Sequence, residues 1–177
     1  TAIYQAVARA GLEIIERTPH AIPSNYAEPG QDATVSDRGL DFIFRNTTDM
    51  PIYFKARMVK DGSRKYIEIT IFGKPLPDGI RYTLESTVTQ TIPLPEPVYV
   101  KDKDAKYVVF EDEEYQASKG REGYVVETYL VTSQNGAVTE RKLISTDTYK
   151  ASAPQIYVGA TVRPVETPVP EDLLPTY

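Results

Sequence analysis

The run Tyr124 Val125 Val126 Glu127 Thr128 Tyr129 Leu130 Val131, the pair Asn135 Gly136 and the run from Val138 to Ile144 decide the fold class. β-Branched and aromatic side chains dominate both runs, and such side chains suit a half-buried pleated surface. Asn-Gly tolerates φ > 0 at both central positions of a two-residue hairpin turn. A β-hairpin is therefore expected here. Gly120 and Gly123 precede its first strand, and a last strand over 155–162 contains Gly159.

Upstream, residues 81–90 alternate, with Tyr82, Leu84 and Val88 against Arg81, Glu85 and Thr87, which predicts a long strand. Pro93, Pro95 and Pro97 follow in an extended array that cannot donate to a central ladder. The charged stretch 101–114 holds Tyr107 Val108 Val109 Phe110 as a further predicted strand. Nearer the start, Phe42 and Phe44, then Ile52, Phe54 and Ala56, then Tyr66, Ile67, Ile69 and Ile71 read as strands, with Asp61 Gly62 as a second hairpin turn. Ile3, Ala6, Val7 and Ala10 mark one helical face that ends at Gly11, and residues 12–17 read as a strand. The segment 18–38, with three prolines and no period, reads as a long ordered loop. The expected class is mainly β with a short helix on an antiparallel sheet (α+β), followed by an extended thin all-β module. The breakers Lys74 to Gly79 divide it, giving 1–79, 80–162 and a Pro-rich tail at 163–177.

Composition narrows the function. Hydrophobic residues make up 41% and charged residues 25% of 177, enough apolar material for a core. Twenty Lys+Arg against 25 Asp+Glu give a net charge of −5 without a basic run, which argues against a nucleic-acid partner. No Cys is present, so disulfides, thiolate metal sites and a cysteine nucleophile are excluded within these residues. No apolar run reaches the ~18 residues of a membrane span. The first residues read as the middle of a helix without an initiator Met, as in a piece of a longer protein.

Thr1 to Ala6, Ala10 to Ile14, Glu16 to His20, Pro29 to Val35 and Asp41 to Ile52 together resemble the C-terminal part of the VanW-like family, a likeness spread over positions 1–72. Gly120, Gly123, Gly136 and Gly159, with Pro154 and the closing Ile156 to Gly159, resemble the G-five (five-glycine) domain. The resemblance implies an extracellular or cell-surface protein of a Gram-positive envelope, anchored or secreted through upstream residues. It also implies an association with vancomycin resistance, and cell-wall glycan or peptidoglycan containing N-acetylglucosamine as partner. Relatives carry a Cys-Gln pair just before the position of Thr1.

Three functions follow as expectations. The first is a non-catalytic glycan-binding module in which Tyr107, Tyr124 and Tyr129 stack on sugar faces, against the plainer role of tyrosines covering a thin sheet. The second is part of a cysteine-dependent cell-wall-modifying enzyme, its nucleophile upstream, with His20 and Asp32 as accessory residues and against a purely structural His20. The third is a mechanical spacer. No cofactor or metal is expected: Asp32, Asp37, Asp41 and Asp49 lack cation-loop spacing, and Glu111 to Glu114 reads as a solvated face.

Overall fold

The computed structural model describes residues 1–164; the expected Pro-rich tail lies outside them from 165 onward. Helix α1 (Ala2–Arg9) buries Tyr4, Val7 and Ala8. It stops in a Schellman motif: Gly11 takes φ +70, its N–H meets the Ala8 carbonyl at 3.1 Å, and the Leu12 N–H meets that of Val7 at 3.2 Å. Strand β1 (Glu13–Glu16) then pairs antiparallel with β2 (Ile43–Arg45), with an irregularity between Ile14 and Glu16. The long loop between them is tied by the bridges Thr18↔Thr34 and Ser36↔Leu40.

Strands β3 (Tyr53–Asp61) and β4 (Arg64–Phe72) form a two-stranded antiparallel hairpin. Its turn is Gly62–Ser63, one residue later than Asp61 Gly62, and of the two only Gly62 has positive φ. A glycine in the first central position suffices for that turn.

The hairpin that decided the fold class is present. Strand β8 (Gly123–Gln134) runs between β5 (Ile80–Ile92) and β9 (Ala137–Tyr149), all antiparallel. Asn135 and Gly136 turn β8 into β9 with φ +51 and +87. A second sheet has the order β6 (Val98–Asp102), β10 (Gln155–Gly159), β7 (Glu114–Ser118). Its β6–β10 pair is parallel, as is the isolated bridge between Phe110 and Thr161, while the other named strand pairs are antiparallel.

The predicted strand at Tyr107 to Phe110 is absent, and β6 and β7 flank it instead. The buried Asp102 carboxylate collects the backbone N–H groups of Lys106 (3.1 Å), Tyr107 (2.6 Å) and Val108 (3.0 Å), and Glu113 Oε2 takes those of Val109 and Phe110. With those donors captured by side chains, the segment has none left for a ladder. Glu113 and Asp112 also pair with Arg163, so this acidic run does more than face solvent.

Packing groups the described residues into two units, residues 1–93 with 122–152, and residues 94–121 with 153–164. The first therefore holds α1, β1 to β5, β8 and β9; the second holds β6, β7 and β10. The first unit's core joins Tyr4, Ala8 and Ala33 to Leu84, with Ile14, Phe42, Leu130 and Ile144 against them. Helix, loop and the β5–β8–β9 sheet share it.

Candidate functional site

The loop 18–38 carries Asp32 into the interior of the first unit, where 1% of the residue stays exposed. A buried carboxylate must be paired and hydrogen-bonded to remain charged. Asp32 Oδ1 accepts from the Tyr149 hydroxyl at 2.5 Å and from Arg17 Nη2 at 3.1 Å. Oδ2 accepts from the His20 backbone N–H at 2.8 Å and lies 2.5 Å from His20 Nδ1. Arg17, with 5% of its side chain exposed, also donates to the Asp32 carbonyl at 2.6 Å and to Asp147 Oδ2 at 2.5 Å. Ser145 Oγ completes Asp147 at 3.0 Å. The loop, β1 and β9 are thus stitched together through one ionic cluster.

Electrostatics follow from these contacts. Burial pushes the Asp32 carboxyl up, but the hydrogen bonds of Tyr149 and His20 and the charge of Arg17 outweigh it and hold it below the ordinary carboxylate range. Burial and the hydrogen bond to Asp32 both push the Tyr149 phenol up, so its hydroxyl keeps its proton and donates. Burial likewise pushes Tyr4 up to about 12. Burial opposes the charge on Arg17, yet Asp147 more than restores it and the pKa rises.

An ionised Asp32 requires a proton on His20 Nδ1, and Nε2, on the other side of the ring, lies 2.8 Å from the Tyr26 hydroxyl. A carboxylate on one ring nitrogen with the other turned outward is the arrangement of an oriented general base. The chain has no Cys, and no hydroxyl but that of Tyr26 meets Nε2 among the described residues. The structure thus brings His20 and Asp32 together. Arg17, Asp147, Tyr149 and Tyr26 join them without any sequence signal, because a pairing as distant along the chain as Arg17 with Asp147 leaves no local pattern.

Gly30 belongs to the same cluster. It has φ +85, its N–H donates to the Tyr149 hydroxyl, and a Cβ here would overlap Thr128 Oγ1 on β8. Gly30→Ala is expected to cost about 2 to 4 kcal/mol from left-handed strain and overpacking, read as a lower urea midpoint at constant m-value. Among the expected structural glycines, Gly123 and Gly159 lie where a Cβ would strike the backbone of 149–151 and of Phe110 respectively.

The tyrosines are placed unevenly. Tyr124 and Tyr129 point to opposite faces of β8, so they cannot sandwich one sugar ring. The Arg141 guanidinium covers the Tyr129 ring at 3.9 Å, and its hydroxyl donates to Glu127. Tyr107, in the second unit, stacks on Tyr115 with centroids 4.7 Å apart and planes 7° from parallel, and meets Tyr157 at 4.7 Å. Tyr107 and Tyr115 remain 39% and 45% exposed.

Fold and site define a mainly β protein whose charged cluster is internal and whose tyrosine stack faces outward. Residues 1–71 match the family described as VanW like protein, and residues 83–160 match the G5 domain. The chain carries a VanW-like segment followed by a G5 domain. Proteins with these domains are typically at the cell surface or secreted, and G5 domains are linked to cell-surface and glycan binding. Over 55 residues the chain is 46% identical to "Uncharacterized protein YoaR" of Bacillus subtilis (strain 168), a stretch covering 31% of this chain and 18% of that relative. The chain thus spans less than a fifth of that relative's length. Similar solved structures include the following two. "IgA1 Protease G5 domain structure" is 23% identical at a TM-score of 0.29, covering 48% of this chain and 92% of that one. "Crystal structure of HP0197-G5" is 19% identical at 0.22, covering 44% and 97%. No helix among the described residues is long and apolar enough to cross a membrane.

Proposed function

We propose that this chain is a non-catalytic cell-surface module that binds peptidoglycan or another glycan containing N-acetylglucosamine, with residues 80–162 as its G5-type part. The observation that carries the reading is the exposed Tyr107–Tyr115 stack with Tyr157 beside it. Tyrosine offers a rigid, broad apolar face at low entropic cost, and its hydroxyl serves the polar rim of a sugar. Stacking fixes the rings before ligand arrives, so little ordering remains for binding to offset. Co-sedimentation with insoluble peptidoglycan tests it. The full chain is expected to pellet, and Tyr107→Ala/Tyr115→Ala is expected to weaken the interaction by about tenfold or more, as loss of aromatic anchors does. Equal pelleting of the double variant would sink the stack as the binding surface.

A second reading rests on the His20–Asp32 pair. In a longer protein bearing a cysteine close to His20 Nε2, the imidazole would draw off the thiol proton and form a thiolate for attack on a cell-wall amide or peptide bond. A longer chain that keeps its function after complete cysteine alkylation refutes this reading.

A further inference from the structure

The first unit holds a concavity that shares only Tyr26 with the ionic cluster and nothing with the tyrosine stack. Arg64, Lys65 and Tyr66 at the start of β4 line an open depression of about 870 Å³ with Tyr26, Glu28 and Pro29 of the long loop. Tyr26 and Tyr66 are 69% and 45% exposed. Of the exposed cations among the described residues, Arg45, Arg57, Lys74, Lys101, Arg141 and Arg163 are paired with carboxylates, while others, among them Arg38, Lys55, Lys60 and Lys119, are not. Among the described residues Arg64 and Lys65 have no ion-pair partner. The carboxylate at the rim, Glu28, is engaged by Gln31 Nε2 at 2.9 Å. Residues 53–72 carry five cations (Lys55, Arg57, Lys60, Arg64, Lys65) against two acids (Asp61, Glu68), inside a chain of net charge −5.

We propose that this depression is a second glycan subsite, selective for a sugar bearing a carboxylate or phosphate. Arg64 takes the anion on the face of β4 that it shares with Tyr66, Lys65 adds its charge from the rim, and the exposed faces of Tyr26 and Tyr66 frame the ring. The inference rests on the glycan-binding reading for the class of ligand and adds a charge requirement that the tyrosine stack does not impose.

Calorimetric titration of the full chain at low salt tests it with three probes: a hyaluronan hexasaccharide, N-acetylglucosamine 6-phosphate and neutral chitohexaose. At least one charged probe is expected to bind, and Arg64→Gln/Lys65→Gln to weaken it about tenfold or more, from the loss of the Arg64 charge-assisted hydrogen bond and of the Lys65 charge beside it. Arg64→Lys/Lys65→Arg, which keeps both charges, is expected to retain most of the binding, and chitohexaose is expected to be indifferent to both variants. Unchanged melting temperatures establish that the variants are folded. Loss of hyaluronan binding alone identifies a carboxylate ligand; loss of N-acetylglucosamine 6-phosphate binding alone identifies a phosphate. The proposal is overturned if no charged probe binds. It is overturned equally if the double variant binds like the parent, or if Arg38→Gln/Lys119→Gln weakens binding as much. Failure of chitohexaose to bind, with charged probes still lost in the double variant, counts against the tyrosine stack and supports this subsite.

Discussion

Asp32→Ala is expected to destabilise the protein by about 3 to 5 kcal/mol, the usual cost of breaking a buried charge pair from one side. The alanine leaves Arg17 with a single carboxylate, the Tyr149 hydroxyl without its acceptor and His20 without its orienting partner. For a domain of this size the melting temperature should fall by on the order of 10 °C. The same residue sets part of the acid response. Its folded-state pKa is depressed, so its contribution is fully present above the ordinary carboxylate pKa of about 4 and is lost as pH falls through the lower folded value. Asp32→Asn should therefore be destabilised most at neutral pH and approach the parent at low pH. Melting curves between pH 7 and pH 3 that run parallel for the two proteins would refute this assignment.

A second large effect is expected from residues 80–177 expressed alone. With 1–79 removed, Asp147 loses Arg17, Tyr149 loses both Asp32 and Gly30, and Leu84 and Leu130 lose Tyr4 and Ala8. Each fully buried aliphatic side chain stabilises by about 1.5 to 3 kcal/mol, and the unpaired charge adds several more. Their sum rivals the net stability of a whole domain, about 5 to 15 kcal/mol. The β5–β8–β9 sheet of the shortened chain should show no cooperative melt by circular dichroism. A sharp transition within a few degrees of the full chain would show that the sheet supports itself.

Both effects arise from contacts that are long-range in the chain, and those are the contacts a sequence conceals. The β8–β9 hairpin was legible because Asn135 Gly136 and the alternation beside it are local signals. The end of α1 was legible for the same reason, in Gly11. The segment Tyr107 to Phe110 has strand-like composition yet forms a loop, since Asp102 and Glu113 claim its N–H groups first. The pairing of His20 with Asp32 was readable as two polar residues in one long loop. That Arg17 and Tyr149 would converge on the same carboxylate was not, because the pairing appears only when β9 folds back against β1 and the loop. Tyr115 and Tyr157 escaped for a related reason: their meeting with Tyr107 depends on β10 lying beside β7.

The VanW-like segment and the first sheet of the G5 domain share one core and are locked together at Asp32, so they should behave as one cooperative unit. Native-state hydrogen exchange on the full chain tests this most directly. Amides of α1, β8 and β9 should open with a common free energy, and Asp32→Ala should lower all three together. If α1 opens separately while β8 and β9 keep their protection in the variant, the two segments fold independently and the shared-core account is wrong.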